Sequence, residues 1–206
     1  MPQVKFEEFV AKVSSGDYLS SFPTDTVPAL AVRPDRAELI YQVKQRSLDK
    51  PLILMAGEIA DLWDYVAGSV RERQIWQEVA TTFLPGALTL VLPASPLVPA
   101  AMNPKDPTTI GVRVPDHTIA RQILAATGPL ATTSANRSGQ PALQTLPQIE
   151  AEFPQVLTLF PGELQQLDPG FQIDRPGSGI PSTVVRWTGQ GWQVLRQGAV
   201  QLGDLG

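Results

Sequence analysis

Ser21-Phe-Pro-Thr-Asp-Thr-Val-Pro-Ala-Leu30 is the stretch from which the rest of the chain can be read. An apolar run from Tyr18 to Phe22 reads as a strand that ends at Pro23, and Leu30 to Val32 reads as the next one. Between them stand Thr24, Asp25 and Thr26, three polar side chains that a plain turn does not require. About twenty residues later comes Lys44-Gln-Arg-Ser-Leu-Asp-Lys-Pro-Leu52, which brings Lys44, Arg46 and Lys50 close together in a chain whose net charge is −4. Hydroxyls and a carboxylate beside clustered cations suit a ligand that carries both an ammonium and phosphates.

The bulk numbers bound that reading. With 206 residues, 43% of them apolar, the chain can fill one core and is short for two. Twenty prolines and sixteen glycines predict many sharp loops between short elements. A protein relying on generalised phosphate attraction would be basic, so anion binding here must be local. The absence of cysteine excludes disulfides and thiolate metal sites. Acidic residues occupy the start where a secretory signal needs an apolar core. The apolar stretch from Gly86 to Met102 is cut by Pro93, Pro96 and Pro99, which rules out a membrane helix there. A cytoplasmic protein forming a single domain over 1–206 is expected.

Taken in order, Val4, Phe6, Phe9, Val10 and Val13 recur at helical spacing until Ser14-Ser15-Gly16. Asp35 is read as the cap of a helix through Leu39, Ile40 and Val43, with Lys44 and Arg46 in its last turn. There those cations could simply complement the helix dipole, worth about 0.3–1 kcal/mol each. Pro51 to Met55 reads as a buried strand, 58–67 and 69–83 as helices, and Leu88 to Leu92 as a continuous apolar strand. Val70, Ile75, Trp76, Val79 and Phe83 sit at core spacing in the second helix. The five prolines from Pro93 to Pro107 mark a lid, a binding loop or disorder. Thr109-Ile-Gly-Val-Arg-Val114 is a strand in which Arg113 either meets a partner or ligand or faces solvent. Asp116 is read as the cap of a helix to Ala126, and His117, the single histidine, as a surface or turn residue. Gly128 to Gly139 is a strand running into small hydroxylated residues, which suits either a polar turn or a phosphate cradle. A helix at 145–153, a strand at 156–160 and a mobile loop from Pro161 to Pro181 follow. Ser182 to Trp187 and Trp192 to Arg196 form a hairpin through Thr188-Gly-Gln-Gly.

Common nucleotide signatures are absent. No Gly-Lys-Ser/Thr marks a P-loop. Gly177-Ser-Gly-Ile-Pro-Ser lacks the last glycine of a dinucleotide fingerprint and precedes a strand instead of opening a helix. No carboxylate cluster resembles a metal cage. Physical reading alone stops at an α/β domain with a small anionic-ligand site.

The ordered series says more: Phe-Pro-Thr-Asp-Thr-Val at 22–27, Lys-Gln-Arg at 44–46 with Lys50-Pro-Leu-Ile, and Pro-Gly-Ala-Leu-Thr-Leu-Val-Leu at 85–92. Thr-Ile-Gly-Val-Arg-Val-Pro-Asp-His at 109–117, Thr-Ser-Ala-Asn-Arg-Ser-Gly at 133–139 and Ser-Thr-Val-Val at 182–185 complete it. Together these motifs resemble the YrdC family of threonylcarbamoyl-AMP synthases over nearly the whole chain. The resemblance implies a twisted mixed α/β sheet, flanked by helices, with a concave electropositive cavity. It implies an enzyme that joins L-threonine, bicarbonate or carbon dioxide, and ATP into L-threonylcarbamoyladenylate and pyrophosphate. Mg²⁺ would accompany the ATP, and a tRNA threonylcarbamoyl transferase would take the product, with contact to tRNA or double-stranded RNA. Carried over by position, Thr24, Thr26, Arg113, Thr132 and Ser182 would hold threonine. Lys44, Arg46, Lys50, Thr109, Ser134, Asn136 and Arg196 would hold ATP, with Lys44 and Arg46 catalytic, and the 161–181 segment is a candidate lid.

The chain departs from the family pattern in two places. Thr26-Val-Pro-Ala-Leu30 stands where Thr-Val-Tyr-Gly-Leu is usual, and Met55 stands where many members carry histidine. Both bear on the shape of the threonine pocket. A paralogue with another acceptor is the first alternative. A non-catalytic RNA-binding module is the second, opposed by the net charge and by the lack of aromatics interleaved with basic residues.

Overall fold

A computed structural model describes residues 3–173 and 177–201. Strand β1 (Gln3–Val4) leads into helix α1 (Phe6–Ser15), which buries Phe9 and Val13. The helix stops at Gly16, whose φ of 84° is a left-handed conformation that glycine adopts without Cβ strain. Strands β2 (Ser20–Phe22) and β3 (Ala29–Val32) pair antiparallel and flank the Thr24–Thr26 turn.

Helix α2 (Glu38–Lys44) begins later than its expected cap. Asp35 lies in a 3-10 turn, Pro34–Arg36, and its carboxylate is taken by Arg33, so it caps nothing. Lys44 is the last residue of α2. Gln45 turns left-handed at φ 51°, which puts Arg46 beyond the helix instead of in its last turn. Strand β4 (Ile53–Met55) follows, then a 3-10 segment, Ile59–Tyr65, where a regular helix was expected. Helix α3 (Val70–Phe83) starts on a reciprocal cap: Glu72 N–H donates to Ser69 Oγ, and Ser69 N–H to Glu72 Oε2. Trp76 is its buried anchor, whereas Val70 is 77% exposed, so the first of the expected core positions faces water.

Strand β5 (Leu88–Pro93) leads to the proline-rich loop, which is ordered by its own core contact. Met102 is buried in a short 3-10 turn, Ala100–Met102, and its carbonyl accepts from Leu52 N–H at 2.8 Å. Strand β6 (Thr109–Arg113) is followed by helix α4 (Thr118–Thr127). His117 occupies the cap position of α4, without a side-chain cap bond, so Asp116 is one residue too early to cap it. Strand β7 (Leu130–Ser134), helix α5 (Leu146–Glu152) and strand β8 (Thr158–Leu159) come next. Residues 161–181 are not a plain loop: they open with helix α6 (Pro161–Leu167), and proline at a first helical position is a start signal. Strands β9 (Thr183–Trp187) and β10 (Trp192–Arg196) form the expected hairpin.

Eight strands make one mixed sheet in the order β10-β9-β5-β6-β4-β7-β3-β2, while β1 and β8 pair separately and in parallel. The period of two along each strand then sorts side chains between faces. Leu88, Leu90 and Leu92 of β5, Ile110 and Val112 of β6, and Leu54 of β4 point into the larger core, where Trp76, Ile149 and Phe153 pack against them. Among the described residues, helices cover the opposite face toward the β2–β3 edge. There Ala29, Ala31 and Leu130 meet Phe9 and Val13 of α1, Ile119 and Ile123 of α4, and Leu164 of α6. Next to that covered part, the same face forms the floor of a cavity.

Candidate functional site

The cavity is open and measures about 870 Å³. Its floor follows from register. Thr89 and Val91 of β5, Thr109, Gly111 and Arg113 of β6, Ile53 and Met55 of β4, and Thr132 and Ser134 of β7 alternate with the core-facing residues named above. Eleven of the twelve predicted site residues line it: Thr26, Lys44, Arg46, Lys50, Thr109, Arg113, Thr132, Ser134, Asn136, Ser182 and Arg196. Thr24 does not. Its hydroxyl is turned inward, donating to Val27 O at 2.7 Å and accepting from Thr26 N–H, so it shapes the turn that presents Thr26.

Arg113 lies in a central strand and is 3% exposed, which decides against a solvent-facing position. Its guanidinium donates to Asp25 Oδ1 at 2.7 Å, Thr26 Oγ1 at 3.0 Å and Gly86 O at 3.0 Å. A guanidinium carries five N–H donors, so this one is clamped and still has donors to offer a carboxylate. Hydroxyls surround it. Thr89 is its neighbour across the β5–β6 pairing and shares a 2.9 Å hydrogen bond with Ser182, and Thr132 donates to Ile53 O. Met55 stands beside Arg113 on the other side, paired in register between β4 and β6.

Lys44 is 1% exposed, and its ammonium donates to Ser134 O, to Asn136 Oδ1 at 3.0 Å and to Thr133 Oγ1. Asn136 is fixed in turn by Ser134 Oγ at 2.6 Å and by its own bond to Arg137 O. All these partners are neutral. Burial brings the Lys44 pKa down to about 7, and the Arg46 and Lys50 charges push in the same direction. Arg46 donates to Lys50 O at 2.9 Å and Pro51 O at 3.0 Å, which folds the 46–51 turn around it. Burial also lowers Arg46, with Arg196 repelling it across the cavity, and Arg196 acts on Arg113 in the same sense. Arg196 reaches the floor by donating to Ser182 O at 2.8 Å. Among the described residues Lys44, Arg46, Lys50 and Arg196 form no ion pair with a carboxylate, although Asp49 and Asp106 share the lining, and a group of cations left in this state suits a polyanion.

Other sequence readings sort out around the cavity. Arg137 pairs with Glu152 and Val43 O, outside the lining. His117 is half-buried, its ring 6.0 Å from Phe171, and burial lowers its pKa. Among the described residues no group of three His, Cys, Asp or Glu side chains could hold a metal. The 177–179 segment packs behind the site, with Ser178 and Gly179 N–H donating to Asp25 and Thr26 O. Among the described residues of 161–181, Pro181 alone lines the cavity, so this segment buttresses the turn and does not cover the ligand space; 174–176 lie outside the described residues. Sequence reading missed Thr89, Asn103, Lys105 and Arg186 in the lining. Thr89 carried a signal, as the one polar residue at an alternate position of an apolar strand. The others come from the loop and hairpin and carried none.

A mixed α/β sheet holding a carboxylate fork and a cluster of unneutralised cations in one cavity defines a class: a protein that brings a small carboxylate and a phosphorylated ligand together. The family model described as Sua5_yciO_yrdC, telomere recombination, matches residues 13–198, and the chain belongs to that family. A Vibrio campbellii protein named threonylcarbamoyl-AMP synthase is 32% identical over 151 residues, 71% of this chain and 80% of the relative. A Bacillus subtilis protein of the same name is 37% identical over 129 residues, 59% of this chain but 36% of that longer protein. The P. abyssi Sua5 structure complexed with L-threonine superimposes with a TM-score of 0.77 at 26% identity, over 94% of this chain and 54% of that one. The chain thus spans little more than a third of the Bacillus relative and about half of the P. abyssi protein.

Proposed function

We propose that the chain is a threonylcarbamoyl-AMP synthase, acting in the cytoplasm as one domain over 1–206. The observation that carries this reading is the pair of unlike anion sites on one floor. A clamped guanidinium suits the threonine carboxylate, and Lys44, Arg46, Lys50 and Arg196, which form no ion pair among the described residues, suit a triphosphate. Relatives named for this activity, and a threonine complex of a similar fold, support it.

Threonine docks its carboxylate on the free donors of Arg113, within reach of Thr26, Thr132 and Ser182 hydroxyls. Its amine, once deprotonated, adds to carbon dioxide to give a carbamate. A carbamate oxygen then attacks the α-phosphorus of ATP held by Lys44, Arg46, Lys50, Thr109, Ser134, Asn136 and Arg196. The bond from the α-phosphorus to the bridging oxygen breaks, and pyrophosphate leaves with its electron pair. Lys44 and Arg46 stabilise the charge growing on that leaving group, a contribution of about 10²–10³ in rate for a well-placed donor. Mg²⁺ would enter as part of the nucleotide substrate. Asp49 and Asp106, the two carboxylates of the lining, lie beside cations of their own, so the side chains present do not build a resident magnesium site. The labile product requires an acceptor reaction that transfers threonylcarbamoyl to tRNA, and the partner is a transferase of that kind.

The test is pyrophosphate release from ATP with and without threonine and bicarbonate. Release that needs both, and that is lost in Lys44→Ala, is the expected result. ATP binding with no threonine-dependent turnover would overturn the assignment and favour a paralogue with another acceptor.

A further inference from the structure

Two cations of the cavity wall lie outside every role given above. Lys105 sits in the loop between β5 and β6, and its ammonium is 3.6 Å from Asp49 Oδ1, across the mouth in the turn that carries Lys50. Arg186 stands on β9 in the same floor row as Val91 and Gly111, 3.7 Å from Asp106 Oδ2. Both separations exceed hydrogen-bond length, and all four side chains are between 43% and 72% exposed. Pairs of this kind are weak and are remade easily. Each carboxylate has a better partner of its own: Asp49 accepts from Ser47 Oγ at 2.9 Å, and Asp106 accepts from the Thr108 and Thr109 hydroxyls.

Within the ATP-binding reading on which this rests, we propose that Lys105 and Arg186 are two further triphosphate-directed cations, masked by Asp49 and Asp106 and released when phosphate charge enters the cavity. A triphosphate attracts both cations and repels both carboxylates, so the same ligand loosens each pair from both ends. The exchange moves Lys105 and Arg186 onto phosphate oxygens and leaves Asp49 and Asp106 on their hydroxyl partners. Recognition then extends toward the phosphate chain, away from the nucleoside.

The sign of two substitutions separates masking from mere bracing. Calorimetric titration with inorganic tripolyphosphate, ATP and AMP on the full chain is the measurement. Lys105→Ala and Arg186→Gln should weaken tripolyphosphate and ATP about three- to ten-fold and leave AMP within about two-fold. Asp49→Asn should tighten tripolyphosphate and ATP about two- to five-fold, because it removes a competitor for Lys105. If the pairs only brace the loop, Asp49→Asn weakens binding in step with Lys105→Ala, and the proposal is overturned. It is also overturned if AMP weakens as much as ATP, or if no variant moves the tripolyphosphate affinity. Should the unmodified chain bind neither ATP nor tripolyphosphate, the synthase reading falls together with this one. A failure of masking alone leaves that unmodified binding intact.

Discussion

Arg113 and Lys44 share a cavity and a nearly complete burial, but they are satisfied in opposite ways. Arg113 has a fixed carboxylate, Asp25, on one nitrogen and neutral oxygens on the others, so its charge is compensated before any ligand arrives. Lys44 has neutral acceptors alone, with Arg46 and Lys50 close enough to repel it. The first is a finished fork whose value lies in geometry. The second is a charge deficit that a polyanion completes. The amino-acid side should therefore respond to shape, and the nucleotide side to pH and salt.

The largest expected effect comes from breaking the fork. Arg113→Ala should raise the threonine KM about 100-fold or more, in line with truncating one partner of a buried charge pair. Arg113→Lys should not rescue it, because an ammonium cannot hold Asp25, Thr26 and a carboxylate together as a planar fork does. The ATP KM should stay within about three-fold in both variants. Steady-state kinetics in threonine and in ATP separately check this. Equal losses on the two axes would show that the clusters are one site electrostatically, and the contrast drawn above would fail.

A pH series sharpens the other half. The Lys44 pKa lies at about 7 in the folded chain against an ordinary 10.5. Between these values the unfolded chain holds a proton that the folded chain has released, so Lys44 makes stability rise with pH across that window. Below about 7 it is charged in both states and its desolvation cost is fully present. Phosphate stabilises the charged form, so ATP binding takes up a proton. ATP affinity should fall as pH rises above about 7, by up to about ten-fold per unit, while threonine affinity stays flat from about pH 6 to about pH 8. Titrations in buffers of different ionisation enthalpy measure the uptake directly, and Lys44→Arg should abolish it. A flat ATP profile with no proton exchanged would erase the difference between the two regions.

Both regions were partly legible in the chain itself. An arginine at an alternate position of Thr109-Ile-Gly-Val-Arg113 had to face something other than the core, and three cations around Lys44 in an acidic chain needed a common purpose. The buried strands were legible as short apolar runs bounded by proline and glycine, and the hairpin from Thr188-Gly-Gln-Gly between two such runs. What failed were local rules with a competitor nearby. Asp35 and Asp116 look like caps, but Arg33 takes the first and the helix start moves past the second. Thr24 and Thr26 are alike in sequence, and only the turn's own hydrogen bonds decide which hydroxyl is spent inside it. Lys105 and Arg186 come to the cavity from a loop and an edge hairpin whose place depends on sheet order, which no short stretch encodes.

A last substitution, with the smallest expected change in stability and in single-ligand binding, tests the ground between the two regions. On β6, Gly111 lies midway between Arg113 and Thr109, with Ile53 and Val91 as its register partners. A Cβ placed there would meet Thr89 Cγ2 at 3.4 Å and Ile53 Cγ1 at 3.5 Å, ordinary contacts that need no adjustment. Gly111→Ala should therefore stabilise the strand by about 0.5–1 kcal/mol, through the lower backbone entropy of the unfolded chain. The added methyl would rise from the floor where the carbamate has to meet the α-phosphorus. Threonine alone and ATP alone should then bind within about two-fold of the unmodified chain, while turnover falls about ten-fold or more, as a misplacement of about 1 Å does. Thermal melts and single-ligand titrations beside the pyrophosphate assay separate these effects. A stabilised variant with full turnover would show that the two ligands meet elsewhere, and that the floor between Arg113 and Thr109 only joins two independent sites.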